Sequence, residues 1–331
     1  MSPLDAAVQR WAKDLLGASA SISSLSGGAN NHLFLCRGTH GSLVIKRYRQ
    51  QNFGALVSRR DAEVAFLNHA ALAAPEFVPM LLAVHANEDM IAMSVVDGER
   101  YLEGRKTPES HIHAAIDFYR KLNNDKVAVR NYLVAAREGY LSISAHLGHV
   151  ARRIAALSTA HLPNDVRPSA EAALSEVRRR FETAQKVLLQ SIVAGEVSDE
   201  LSPEYVQLSP GDFGFHNALR VGDKPVFIDF EYAGFDDPAK TLADFFLQPK
   251  VPVEPTLFDR VVAEAAVVMT PVELNTRACI LGRLLSVKWT AIILGPLDGE
   301  KYPSFCERYG AEALTELSRR LTLVSRHSLF G

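Results

Sequence analysis

The amino-acid sequence predicts an α+β chain of two lobes, a small antiparallel β-rich lobe over residues 1–97 and a larger helical lobe over residues 98–331. Three observations predict it. The chain has 331 residues, more than one hydrophobic core usually organises. Its first hundred residues carry short apolar runs broken by glycine-containing turns. Beyond about residue 108, apolar residues recur at steps of three and four.

Each element follows from a local signal. Leu33–Cys36 and Leu43–Ile45 flank "RGTHG", the pattern of a β-hairpin, and "SGGANN" before them is a small flexible turn. Ser58 with Asp61 three residues on resembles a capping box and predicts a helix start. Two further apolar runs, Val78–Val84 and Met90–Val96, complete a small sheet before Asp97-Gly98 breaks the pattern. In the second lobe Ile143, Leu147, Val150, Ile154 and Leu157 define one helix face, and Leu174, Val177, Phe181, Leu188 and Ile192 another. Ala218–Val221 and Pro225–Ile228 flank Gly222-Asp223-Lys224 and read as a second hairpin. Ala278–Leu294 is interrupted by Arg283 and Lys288, so it reads as a buried helix and not a bilayer span.

Composition excludes several classes. The net charge of −2 gives no broad electrostatic footprint for nucleic acid. Cys36, Cys279 and Cys306 are odd in number and far apart, which excludes a disulfide framework or structural zinc and suits a reducing compartment. The first seventeen residues are charged and lack a long apolar core, so no signal peptide is expected. The expected setting is the cytoplasm, with no membrane partner.

The chemistry concentrates at the second hairpin. Asp212 and Asn217 stand at its entrance and Asp229 at its exit, and a hairpin brings its two ends together. Two carboxylates and an amide at one spot suit a hard cation such as magnesium. Asp-x-x-x-x-Asn is also the spacing of a phosphoryl-transfer catalytic loop, in which Asp takes the hydroxyl proton and Asn holds metal, with a metal-binding Asp after a short hairpin. Asp212 is therefore the candidate base, and the literal Asp-Phe-Gly at 212–214 is not the metal-binding tripeptide of that spelling. Lys46, ending the strand "LVIK", is a candidate phosphate-binding lysine, and Glu63 on the next helix its ion-pair partner. Gly27 and Gly28 permit close backbone approach to phosphates. The connection Met93–Val96, with Met93 and Val95, offers backbone groups to an adenine. His111 and His113 have no third ligand in view, and Trp289 and Tyr302 are expected to pack in the core.

"SGGANNHLFLC", "LVIK", "GDFGFHN" and "FIDFEYAG" occur in the order and spacing of the aminoglycoside phosphotransferase and choline kinase-like superfamily, and the chain resembles that family from about residue 20 to 250. The resemblance implies a protein-kinase-like fold, with Asp212 as base, Asn217 and Asp229 as magnesium ligands, and Lys46 with Glu63 at the phosphates. It also implies Glu231 for metal, by its Asp-x-Glu spacing, and Asp244 as a brace of the catalytic loop. Pro210 departs from the family, which carries His there, and "RKLNND" replaces its usual Leu-His helix end. The implied activity is ATP- and magnesium-dependent transfer of a γ-phosphoryl group to a hydroxyl of a small molecule: a choline-like amino alcohol, a sugar or an aminoglycoside. A kinase acting on protein hydroxyls and a non-catalytic nucleotide-binding module are the alternatives.

Overall fold

Period-two apolar runs build the front of the molecule. In this computed structural model residues 3–25, 31–49, 57–125 and 135–324 are described. Strands β1 (Ser21–Leu25), β2 (Asn31–Gly38) and β3 (Gly41–Tyr48) pair antiparallel, with Gly38 opposite Gly41 across the Thr39-His40 turn. Helix α2 (Arg59–Ala73) follows, then β4 (Leu81–Val84) and β5 (Met90–Ser94), giving the sheet order β1-β2-β3-β5-β4. Ser58 caps α2 as its sequence predicts: its hydroxyl accepts from the Asp61 amide at 3.0 Å.

One element has no counterpart in the sequence reading. Residues Pro3–Leu16 form α1, an amphipathic helix that lays Val8, Trp11, Ala12 and Leu16 against Phe34, Cys36, Leu43, Ile45, Met90 and Ala92 of the sheet. Burying that apolar face supplies what the strands alone lack, a cover for one side of the sheet.

By internal packing the chain forms two compact units. One comprises Met1–Glu103, Thr107–Gly139 and Leu208–Phe235; the other comprises Gly104–Lys106, Tyr140–Gln207 and Asp236–Gly331. The expected division at residue 97 follows the change from strand to helix, whereas packing draws α3 (Glu109–Asn124) and the second hairpin into the first unit.

In that unit Asn123, near the end of α3, is buried. Its amide nitrogen donates to the Leu208 carbonyl at 3.0 Å, and its oxygen accepts from the Leu208 amide at 2.8 Å. This side chain, from the divergent "RKLNND" segment, thus anchors the backbone that enters the catalytic-loop sequence. Strands β6 (Glu99–Arg100), β7 (Gln207–Ser209), β8 (Ala218–Val221) and β9 (Lys224–Phe227) follow in the chain. Strands β8 and β9 are joined by a two-residue Gly222-Asp223 turn in which Gly222 takes φ +62°. Rings of Phe66, Phe118, Phe213, Phe227 and Phe230 pack at centroid distances of 4.4 to 6.5 Å beneath this hairpin.

The second unit is helical. Helices α4 (Ile143–Ala155) and α5 (Arg167–Val193) bear out the two predicted apolar faces, and α6 (Pro238–Leu247) and α7 (Phe258–Ala265) pack with the long α8 (Pro271–Ile293). Thr270 and Glu273 form a complete capping box at the start of α8. Helix α8 is largely buried, and among the described residues no helix is long and apolar enough to cross a membrane.

Candidate active site

The hairpin delivers its ends together. Beyond the Ala218–Phe227 pair, the Ile228 amide donates to the Asn217 carbonyl at 2.8 Å, so Asp229 leaves the ladder beside the loop that contains Asp212. Asn217 reaches back with its amide nitrogen to the Asp212 carbonyl at 3.0 Å and to Oδ2 of Asp212 at 3.1 Å. On the other side His216 Nε2 lies 3.1 Å from Oδ1. Two consecutive side chains therefore clasp one carboxylate, which stays 38% exposed. His216, which joins this clasp, carried no separate signal in the sequence.

The loop's path is imposed by Gly211. Its φ is +85°, and a Cβ there would lie 2.6 Å from the Tyr232 carbonyl carbon, so a side chain is excluded on both counts. Pro210 is buried, and the Ser209 hydroxyl accepts from the Gly211 amide at 3.1 Å. Phe213 and Phe230 each follow an acid and each turn into the aromatic core. The two Asp-Phe pairs thus work alike: ring inward as anchor, carboxylate outward.

Asp229 adopts φ +69°, a left-handed conformation that costs a non-glycine residue about 1 kcal/mol or more. Its Oδ1 is 2.5 Å from Lys46 Nζ, and Lys46 also reaches Glu63 Oε2 at 2.6 Å. Tyr48 donates its hydroxyl to the same Glu63 oxygen at 2.7 Å. Lys46 is almost wholly buried; burial alone would depress its pKa, but Asp229 and Glu63 raise it above the ordinary lysine value, so it is a fixed cation. Burial raises the Glu63 carboxyl, with Lys46 opposing. Asp229, by contrast, keeps 42% of its side chain exposed.

Glu231 lies within the field of Lys46, but its hydrogen bonds go elsewhere. Oε2 accepts from Asn31 Nδ2 at 2.7 Å, and Arg59 Nη1 approaches both oxygens at 3.3 and 3.4 Å. Asn31 Oδ1 is buried and unpartnered. Met93 sits within β5, opposite Val44 and Leu81, so its backbone groups serve the sheet; Val95 is the first residue past the strand and is exposed. Gly27 and Gly28 lie outside the described residues. In the helical unit Asp244 accepts from Lys288 at 2.7 and 2.8 Å and from Trp289 Nε1 at 2.7 Å.

Among the described residues no group of three or more His, Cys, Asp and Glu side chains is gathered for metal. A magnesium site of this kind needs fewer, because phosphate and water complete the six oxygens. Asn217 commits only its nitrogen to Asp212, leaving its amide oxygen, and Asp229 commits only Oδ1 to Lys46, leaving Oδ2. The donor chemistry at the hairpin therefore fits a hard cation.

Residues 21–263 match the phosphotransferase enzyme family, and the chain belongs to that family. No curated protein matches the chain. Among solved structures it is similar to a choline kinase of Cryptosporidium parvum Iowa II, at TM-score 0.59 and 13% identity, covering 98% of this chain and 95% of that one. It is also similar to a choline/ethanolamine kinase family protein of Mesorhizobium loti, at TM-score 0.55 and 18% identity over 98% and 99% of the two chains. A macrolide 2'-phosphotransferase of Brachybacterium faecium gives TM-score 0.52 and 16% identity over 94% and 97%. The fold is accordingly of the protein-kinase-like α+β class expected from the sequence, and the chain is a phosphotransferase.

Proposed function

We propose that the protein is an ATP- and magnesium-dependent kinase that phosphorylates a hydroxyl of a small molecule. The observation that carries this reading is the meeting, at one hairpin, of a clasped and exposed Asp212 with an Asp229 tied to buried Lys46. Asp212 orients and deprotonates the acceptor hydroxyl; the clasp by His216 and Asn217 holds its oxygens in place for that task. Asn217 and Asp229 would hold magnesium. Lys46, kept charged and oriented by Glu63, presents its ammonium to the phosphates. Bound ATP supplies the phosphoryl group, and the metal neutralises charge on its oxygens.

The acceptor class follows from the relatives in name only: choline, ethanolamine and macrolide kinases share this fold. An amino alcohol or a sugar hydroxyl is the class to test first. Only residues 230–237 separate Asp229 from α6, which leaves little chain for a segment that docks a protein substrate. The scattered free thiols suit a cytoplasmic enzyme.

The test is ADP release across a panel of amino alcohols, sugars and aminoglycosides, with and without magnesium. One acceptor should stimulate release. Asp212→Ala should lower that rate about a thousandfold while nucleotide affinity changes little. Full turnover in that variant would remove Asp212 from its role.

A further inference from the structure

The Glu231 carboxylate is 3% exposed and surrounded by donors, a poor state for a ligand to a hydrated ion. Its partners point to a different task. Arg59 and Glu63 stand four residues apart on α2 and so share a face. Glu63 takes Lys46, which takes Asp229. Arg59 takes Glu231, two residues beyond Asp229, and with Nη2 also donates to the Arg49 carbonyl at 2.6 Å. Asn31 donates to Glu231, stands opposite Tyr48 in the β2–β3 register, and Tyr48 donates back to Glu63. The contacts close a ring: Glu63, Lys46, Asp229, Glu231, Asn31, Tyr48 and Glu63 again. Phe230, between the two acids, stacks on Phe66 of α2 with ring centroids 4.4 Å apart.

We propose that Glu231, with Arg59 and Asn31, is a positioning residue: the second pin of a bracket on α2 that fixes where Asp229 faces. The proposal deepens the metal–nucleotide reading above and rests on it. Asp229 sits in a left-handed conformation that a free chain leaves readily. The Lys46 pin holds its side chain, and the Arg59 pin holds the backbone just beyond it. Glu231 acts on the metal through Asp229 and does not touch it.

Three variants test the bracket: Glu231→Gln, Arg59→Met and the double. Each single change should slow acceptor phosphorylation about tenfold, and the double should be no slower than the worse single, because both remove the same pin. Manganese affinity in the presence of ADP, read by electron paramagnetic resonance, should weaken about tenfold and alike in all three, because the bracket reaches the metal only through Asp229. The reversed pair, Arg59→Glu with Glu231→Arg, should regain about threefold over either single. Losses that multiply would overturn the proposal. So would a manganese affinity about tenfold weaker in Glu231→Gln alone, which would make Glu231 a ligand. Amide exchange over residues 228–233 in ligand-free protein needs no turnover, and it should quicken equally in both singles; unchanged exchange would also overturn the bracket. A wild type that neither binds manganese-ADP nor releases ADP sinks the kinase reading alone, and the exchange result then decides the bracket.

Discussion

Each compact unit buries a cluster of charges, and the two clusters are built to opposite ends. In the helical unit Asp236, Asp237 and Asp244 meet Lys240, Arg277 and Lys288, three acids with three bases, every side chain less than a tenth exposed. Among the described residues of the first unit, Glu63, Asp229 and Glu231 form ion pairs with Lys46 and Arg59, two bases for three acids, and Asp229 is left open to solvent. A balanced, closed cluster carries no charge deficit for a cation to fill and serves to fix helices. An unbalanced one with an exposed acid in a strained conformation has a deficit of positive charge where a metal can supply it. Burial of ion pairs therefore does not mark function by itself; the unmatched and exposed member does.

The sharpest way to break this contrast is to remove one lysine from each cluster. Lys46→Met takes the cation from buried Glu63 and should cost about 3–5 kcal/mol in denaturant unfolding, whereas Lys288→Met leaves Asp244 with Trp289 Nε1 and with Lys240 at 3.5 Å and should cost less. At a temperature where both variants remain folded, Lys46→Met should also lose about a hundredfold in turnover, whereas Lys288→Met should keep turnover within about threefold. A Lys288 variant that is folded yet equally inactive would abolish the distinction.

The parts of the open cluster were unequally legible in the sequence. The hairpin could be read because its turn fixes register locally, and that register carries Asp212, Asn217 and Asp229 to one place. Lys46 and Glu63 could be read because a strand end and the following helix form a short-range pair. Arg59 and Asn31 could not: they meet Glu231 across 172 and 200 residues, with no periodicity to announce it. Phe213 carried no signal of its anchoring role, because that role depends on Phe118 and Phe227, rings supplied by distant elements. The closed cluster was likewise invisible, since Lys288 in sequence is only an interruption of an apolar helix. Its Asp244 carboxylate bonds Lys288 and Trp289 of α8, partners that no local pattern announces.

Acid should next probe the closed cluster, where two groups are shifted in opposite senses. His146, in the helical unit, is buried with Nε2 unpartnered; desolvation, then the charges of Lys240, Lys288 and Arg277, hold its pKa well below the usual imidazole value. A base whose folded pKa is depressed binds its proton more readily unfolded. Stability from His146 is therefore complete above about pH 6.5 and is lost as pH falls below it, by up to about 1.4 kcal/mol per pH unit. Asp236 works in the opposite sense: burial raises it to about 6, so its cost is present above that pH and is relieved as pH drops toward the ordinary carboxylate range. Denaturant melts between pH 6.5 and 5 measure the sum, and His146→Gln should reverse the slope to that of Asp236 alone. An unchanged profile in that variant would show that His146 is not the group responsible.

The smallest effect separates the two helices that carry the clusters. Ser58 caps α2, which bears Arg59 and Glu63; Thr270 caps α8, which bears Arg277 and Lys288. Both caps satisfy an amide at a helix start with a hydroxyl, so Ser58→Ala and Thr270→Ala should each cost about 1 kcal/mol of stability. If the open cluster is the working one, a loosened first turn of α2 moves Arg59 directly, and through Glu63 it moves Lys46 as well. Ser58→Ala should then lower turnover about threefold at full folding, with nucleotide affinity nearly unchanged, while Thr270→Ala leaves turnover alone. Equal kinetics in the two variants would mean that α2 tolerates fraying without disturbing Asp229, and the role of the helix would shrink to that of Glu63 alone.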